Sequence, residues 1–241
     1  MTSIDEHYDN LLADHYTWLF GGLQENIDKF TDFFNHHSIA PSAGGRALDL
    51  GAGSGFQSIP LARLGFSVTA VDSSRKLLEE LQKNSGGLGI VIKIGDLTRF
   101  NEIIQDKMEL VVCMGDTLTH LHSADVVIHL FRDIHESLEV DGRFILSFRD
   151  MSLEHFGLDR FIPVRMEQDR LFTCFLEYER DSVVVHDLLH LNRGNGWEFK
   201  KSAYRKLRIS QAWMEESLNL SGFRIILVEQ FNGMVTIMVQ K

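Results

Sequence analysis

Apolar positions change their period several times along the chain, and each change marks an element. Leu11, Leu12, Trp18 and Leu19, then Leu23, Ile27, Phe30, Phe33 and Phe34, recur mostly at three- and four-residue intervals with a break at Gly21-Gly22. That spacing predicts two short helices before the first strand. Five short runs follow, at 46–51, 67–72, 90–95, 110–114 and 143–148. They are mostly apolar without strict alternation, which suits strands covered on both faces. Helices are predicted between them: 57–64, with Pro60 near its first turn and Gly65 at its end; a stretch carrying Leu77, Leu78 and Leu81 behind Ser73 or Ser74 as cap; and one carrying Val127, Leu130, Phe131, Ile134 and Leu138 behind Ser123. Asp141-Gly142 is read as a turn into the fifth strand.

The pattern then becomes that of antiparallel strands at 171–179, 182–192 and 197–208, with turn signals at Arg180-Asp181 and Gly194-Asn195-Gly196. A helix over 210–220 and a hairpin of 223–231 with 234–239, turning at Asn232-Gly233, close the chain. This order predicts an α/β fold: a doubly wound, mostly parallel seven-stranded sheet whose last strand is antiparallel, interrupted by an inserted sheet of about three strands. Residues 1–44 form a helical segment, 45–150 with 209–241 the main domain, and 151–208 the insertion.

Composition narrows the class. With 241 residues, 44% of them apolar, the chain can bury the core of one large domain carrying an insertion. No run approaches the roughly 18 apolar residues that a membrane-spanning helix needs. The acidic start, with Asp5, Glu6 and Asp9, does not read as a secretory leader, so the expectation is a cytoplasmic protein without membrane contact. Cys113 and Cys174 lie in separate apolar runs and read as small buried groups. A net charge of −10 disfavours a polyanionic partner, so nucleic acid is not expected. The basic run through Lys200, Lys201, Arg205, Lys206 and Arg208 is read as a solvated strand face.

The candidate chemistry gathers at strand ends. Ala47-Leu48-Asp49-Leu50-Gly51-Ala52-Gly53-Ser54-Gly55 is a strand that stops on glycines and opens into a helix, which can present backbone N–H groups and a positive helix terminus to a ligand. Asp72 ends the second strand, Asp96 and Leu97 follow the third, and Met114, Gly115 and Asp116 follow the fourth. Ligands of open parallel sheets bind outside these carboxyl ends. Each residue alone also has a plain reading: glycine as a turn former, Asp49 as an anchor of the turn, Asp72 and Asp96 as caps. Ser54 fails the Gly-x-Ser-x-Gly elbow of hydrolases. His120 and His122 lack the further ligands that a metal site needs, so no metal is expected.

Residues 45–150, with the hairpin at 223–240, resemble the class I S-adenosylmethionine-dependent methyltransferases. The resemblance implies that Asp49, Gly51, Ala52, Gly53 and Gly55 meet the methionine part of S-adenosyl-L-methionine. It places Asp72, with Ser73 after it, at the ribose hydroxyls, Asp96 and Leu97 at the adenine, and Met114 and Gly115 beside the ammonium and the reacting methyl. The third glycine comes one residue earlier than in the Gly-x-Gly-x-x-Gly turn that cradles a pyrophosphate.

Within the family, the fourth-strand segment and the insertion look similar to the small-molecule group that includes the glycine and sarcosine N-methyltransferases. This likeness implies an acceptor anchored by Arg149, a lid over residues 1–44 carrying Tyr16 and Trp18, and an acceptor site under 151–208. Neither an Asn-Pro-Pro-Tyr element nor a Pro-Cys pair is present, which weighs against a nucleobase acceptor. The implied activity is methyl transfer to nitrogen or oxygen of a small molecule. A nicotinamide-dependent oxidoreductase and a non-catalytic cofactor-binding protein remain as alternatives, and the exposed edge strands of the insertion are a candidate contact for homo-oligomerisation.

Overall fold

The computed structural model describes His7 and residues 11–231 and 233–241. The rest of the first ten residues, including Asp5, Glu6 and Asp9, and Asn232 at the tip of the last hairpin lie outside the described residues. Helices α1 (Tyr16–Leu19) and α2 (Leu23–His36) flank Gly21-Gly22 and precede β1 (Arg46–Leu50). Then come α3 (Ser58–Arg63), β2 (Ser67–Asp72), α4 (Arg75–Asn84), β3 (Val91–Ile94), β4 (Met108–Cys113), α5 (Ala124–Ser137) and β5 (Leu138–Arg149). Ser74, not Ser73, caps α4 by accepting from the N–H of Leu77, and Ser123 caps α5 in the same way through Val126.

Strands β10 (Arg224–Phe231) and β11 (Met234–Gln240) complete a seven-stranded sheet in the order β10-β11-β5-β4-β1-β2-β3. β11 runs antiparallel to β5, while β1, β2, β3, β4 and β5 pair in parallel. Both faces of the central strands are buried: Leu48, Leu50, Val111 and Phe144 pack in one apolar cluster, and Ala47, Leu110, Val112 and Ile145 in another. This accounts for apolar runs without alternation.

Two expectations need correction. The turn read at Asp141-Gly142 is absorbed into β5: Met108 pairs with Leu138 and Leu110 with Arg143, so the intervening residues bulge with Asp141 at φ 61°. The insertion has four strands, since β6 (Phe161–Met166) joins β7 (Arg170–Tyr178), β8 (Ser182–Asn192) and β9 (Trp197–Leu207) in the order β6-β7-β8-β9. Pro163 hides β6 in the sequence, yet an edge strand tolerates a residue without an N–H. Helix α6 (Gln211–Leu220) leads back to the main sheet.

Candidate active site

The site grows from the glycine turn after β1. Gly51, Gly53 and Gly55 have φ of 76°, 51° and 95°, in the region that glycine enters most easily. Their bare α-carbons also let neighbours approach. A Cβ on Gly51 would sit 2.4 Å from Thr117 Cγ2, one on Gly55 2.3 Å from Leu81 Cδ1, and one on Gly53 3.4 Å from the Tyr16 ring. Four N–H groups of the turn are already committed. Gly51 and Ala52 donate to the Val71 carbonyl, Gly55 donates to that of Ala52, and Gly53 donates to Asp72 Oδ2 at 2.8 Å. The turn therefore offers a ligand close approach rather than the free donors that its sequence suggests.

Asp72 also accepts from the Ser74 N–H at 2.8 Å, through Oδ1. Two backbone donors fix the carboxylate at the rim of a cavity of about 260 Å³. Tyr16, Gly51, Gly53, Ser73, Asp96, Leu97 and Gly115 share that wall. Asp96 is held by the N–H and hydroxyl of Thr98, both at 2.8 Å. Burial, with the charges of Asp72, Asp49 and Glu80, pushes the Tyr16 phenol well up, so it is neutral at physiological pH.

Asp49, Ala52, Gly55 and Met114 are not part of the wall; Asp49, Ala52 and Met114 lie behind it, buried, and Gly55 packs on Leu81. Asp49 accepts from Ser58 Oγ at 2.6 Å, ties β1 to α3, and is pushed up to about 7 by burial. Its Oδ1 has no hydrogen-bond partner among the described residues. Arg149 is exposed and lines neither this cavity nor the larger one, described next; Nη1 lies 3.5 Å from where a Cβ on Gly233 would stand. Arg149 is the last residue of β5 and stands beyond the buried Ser147 and Phe148.

The second, larger cavity of about 890 Å³ lies between the loop that follows β4 and strand β9 of the insertion, lined among others by Tyr204, Lys206, Arg208, Ser210 and Trp213. His120 and Leu121 line both cavities. His120 packs on Tyr204, ring centroids 5.4 Å apart, and burial pushes its imidazole down to about 3, so it is neutral at pH 7.

Beside it, buried Asp116 ties the loop after β4 to β5 and β9. Its Oδ1 accepts from the Arg149 N–H at 2.9 Å and from the Thr119 hydroxyl at 2.9 Å, and its Oδ2 accepts from Lys206 Nζ of β9. Burial opposes its charge, but Lys206, His120 and these donors hold the carboxyl below its ordinary range. Lys206 is therefore no part of a solvated face: 11% of its side chain is exposed. Arg205 and Arg208 are likewise engaged, by Glu179 and by Glu154 with backbone carbonyls.

Thr117, Leu121, Tyr204 and Lys206 are the lining or bridging residues that the sequence did not reveal. No motif announces them, since the insertion meets the β4 loop only in three dimensions. Asp116 carried a signal: a polar residue directly after the strand-ending Gly115, in a left-handed conformation with φ 76°.

An open parallel sheet closed by an antiparallel strand, with acids at the ends of β2 and β3 facing one crevice, defines a Rossmann-like methyltransferase fold. Residues 47–142 match the family model described as "Methyltransferase domain". Among curated proteins, the chain is 27% identical over 155 residues to a glycine/sarcosine N-methyltransferase of Aphanothece halophytica, covering 58% of each, and 27% over 159 residues to one of Halorhodospira halochloris, covering 59% of each. The matched region thus spans less than two thirds of these relatives.

Among solved structures, it superposes on DesVI of Streptomyces venezuelae with a TM-score of 0.76 at 18% identity, covering 97% of both chains. An S-adenosylmethionine-dependent methyltransferase of Clostridium acetobutylicum gives 0.74 at 18%, covering 97% of this chain and 95% of that one. The chain thus has a Rossmann-like methyltransferase fold, and its residues 47–142 match a methyltransferase domain.

Proposed function

We propose that the protein transfers the methyl of S-adenosylmethionine to nitrogen or oxygen of a small acceptor held between the parallel sheet and the 151–208 sheet. The observation that carries this reading is the pair of cavities meeting at His120 and Leu121: one of about 260 Å³ ringed by Asp72, Asp96 and Gly115, and one of about 890 Å³ reaching under the insertion.

The smaller cavity fits the cofactor by its donor set. Asp72 supplies an anchored acceptor for a diol, Asp96 an acceptor for a ring amine, Leu97 an apolar face, and Gly51 and Gly53 an approachable wall closed by Tyr16. When bound, S-adenosylmethionine supplies an electrophilic methyl on a sulfonium, whose departure leaves a neutral thioether. The protein's task is then chiefly positioning. Tyr16 and Gly115 bound the space beside the cofactor, and Asp116 holds the β4 loop against Lys206 of the insertion. His120, neutral and facing both cavities, bounds the passage between them; held far below neutral pH, its imidazole is too weak a base to take a proton from the acceptor.

The likeness to glycine/sarcosine N-methyltransferases supports nitrogen as the first acceptor to try. The anchoring role that the resemblance implied for Arg149 gains no support from its exposed position. The antiparallel closing strand weighs against the nicotinamide alternative. The test is mass-spectrometric detection of S-adenosylhomocysteine when the protein is given S-adenosylmethionine and a panel of amino acids, amino sugars, amines and phenols. Turnover confined to one acceptor class is expected; cofactor binding without turnover across the panel would instead favour the non-catalytic alternative.

A further inference from the structure

We propose, resting on the assignment of the larger cavity to the methyl acceptor, that this acceptor carries a multiply charged anionic group, a phosphate ester or a polycarboxylate, bound by the basic wall of that cavity. The chain as a whole carries a net charge of −10, yet Arg180, Arg205, Lys206 and Arg208 line the cavity with Asp181 as the only acid among the described residues. The smaller cavity has the opposite sign: Asp72 and Asp96 line it, and no lysine or arginine does among the described residues. An acidic cavity suits a sulfonium, and a basic one adjoining it at His120 suits an anion.

Three of the four cations are held by acids that do not themselves line the cavity. Glu179 takes Arg205 at 2.8 Å, Glu154 takes Arg208 at 2.7 Å, and Asp116 takes Lys206. Each pair thus presents its cation, not its acid, to the space. Arg180, in the turn between β7 and β8, is held by no such partner: its Nε stands 4.0 Å from Asp181 Oδ1, and with the two side chains 94% and 89% exposed, solvent screens the contact. Two helix ends add to the field. Ser123 and Ala124 at the start of α5 and Ser210 at the start of α6 line the same cavity, so the positive ends of both helices open on it. His120 responds to these surroundings, its imidazole being pushed down first by burial and next by the Lys206 charge.

Size and charge together set the class of ligand. One bidentate arginine satisfies a single carboxylate. Four cations around about 890 Å³ match an anion of two or more charges, attached to a body long enough to bring its accepting atom to His120. A long polyanion is disfavoured, because the acidic remainder of the surface repels it.

The test is isothermal titration of pyrophosphate, and separately of citrate, into the full chain loaded with S-adenosylhomocysteine in a low-salt buffer. At least one of the two is expected to fill one site with a dissociation constant below about 1 mM. Tighter pyrophosphate identifies a phosphate ester as the acceptor's charged group, and tighter citrate a polycarboxylate. Arg180→Glu, on a side chain that is almost wholly exposed and that folding does not need, should weaken this site at least tenfold. Lys93→Glu makes the same change of charge at an exposed position of β3 outside the cavity and should leave it unchanged. The loading step reports cofactor binding by itself, and the anions are also titrated into the unloaded chain, so a failure of the cofactor reading is seen separately. No heat with either anion overturns the proposal, as does a site that Arg180→Glu and Lys93→Glu weaken alike.

Discussion

Asp72 carries two duties on one carboxylate: it holds the N–H groups of Gly53 and Ser74, and it faces the smaller cavity. Asp72→Asn keeps the shape and removes the charge. We expect S-adenosylhomocysteine affinity, measured by calorimetry, to fall by about ten- to a hundredfold, the worth of a hydrogen bond to a charged group. Gly55 lies outside the cavity, and its substitution acts on stability instead. Gly55→Ala drives a Cβ against Leu81 at a φ of 95° and should cost about 1–3 kcal/mol in urea unfolding.

Two further residues set opposing pH dependences. His120 is held near 3, below its unfolded 6.5, so the stability this gives is present above pH 6.5 and is lost as pH falls toward 3. Asp49 is raised to about 7 from 3.8, so its contribution is present below pH 3.8 and is lost as pH rises toward 7. In the window from about 4 to 6.5 the two slopes oppose each other, each at most about 1.4 kcal/mol per pH unit. Relative to wild type, His120→Gln should lose stability with rising pH, and Asp49→Asn should lose it with falling pH. Urea midpoints across that window check both signs.

At the scale of elements, the informative contact is Lys206 of β9 on Asp116 beyond β4, since it is what fastens the inserted sheet to the loop that lines both cavities. With side chains 11% and 5% exposed, the pair stands where removing one partner leaves a buried charge. Lys206→Met should therefore destabilise by about 3–5 kcal/mol, and Lys206→Met with Asp116→Asn by less than the two single changes together. Denaturant unfolding of the four proteins of the cycle measures this coupling.

The same contact marks where sequence reading stopped. The strands of the parallel sheet, the capping serines and the acids at strand ends were legible because they follow local rules of period and turn chemistry. What β9 touches depends on how the insertion folds back, and alternation along a strand tells which residues share a face without telling what the face meets. Hence Lys206 read as solvated and is buried, while Arg149, assigned by its place at the end of the fifth strand, is exposed and lines neither cavity. Strand β6 was missed because Pro163 argues against a strand unless the strand is known to lie at an edge.

For the whole molecule, a parallel sheet sets a row of acids and glycines along one crevice, and a second sheet caps a larger space beside it. The two cavities meet at a neutral histidine, His120. Among the described residues no helix is long and apolar enough to cross a membrane. The central claim is that the smaller cavity binds S-adenosylmethionine through Asp72. Isothermal titration of S-adenosylhomocysteine into the wild type and Asp72→Ala tests it most directly. One site per chain is expected in the wild type, and its loss in the folded variant. No heat of binding with the wild type, or unchanged affinity in Asp72→Ala, would contradict it.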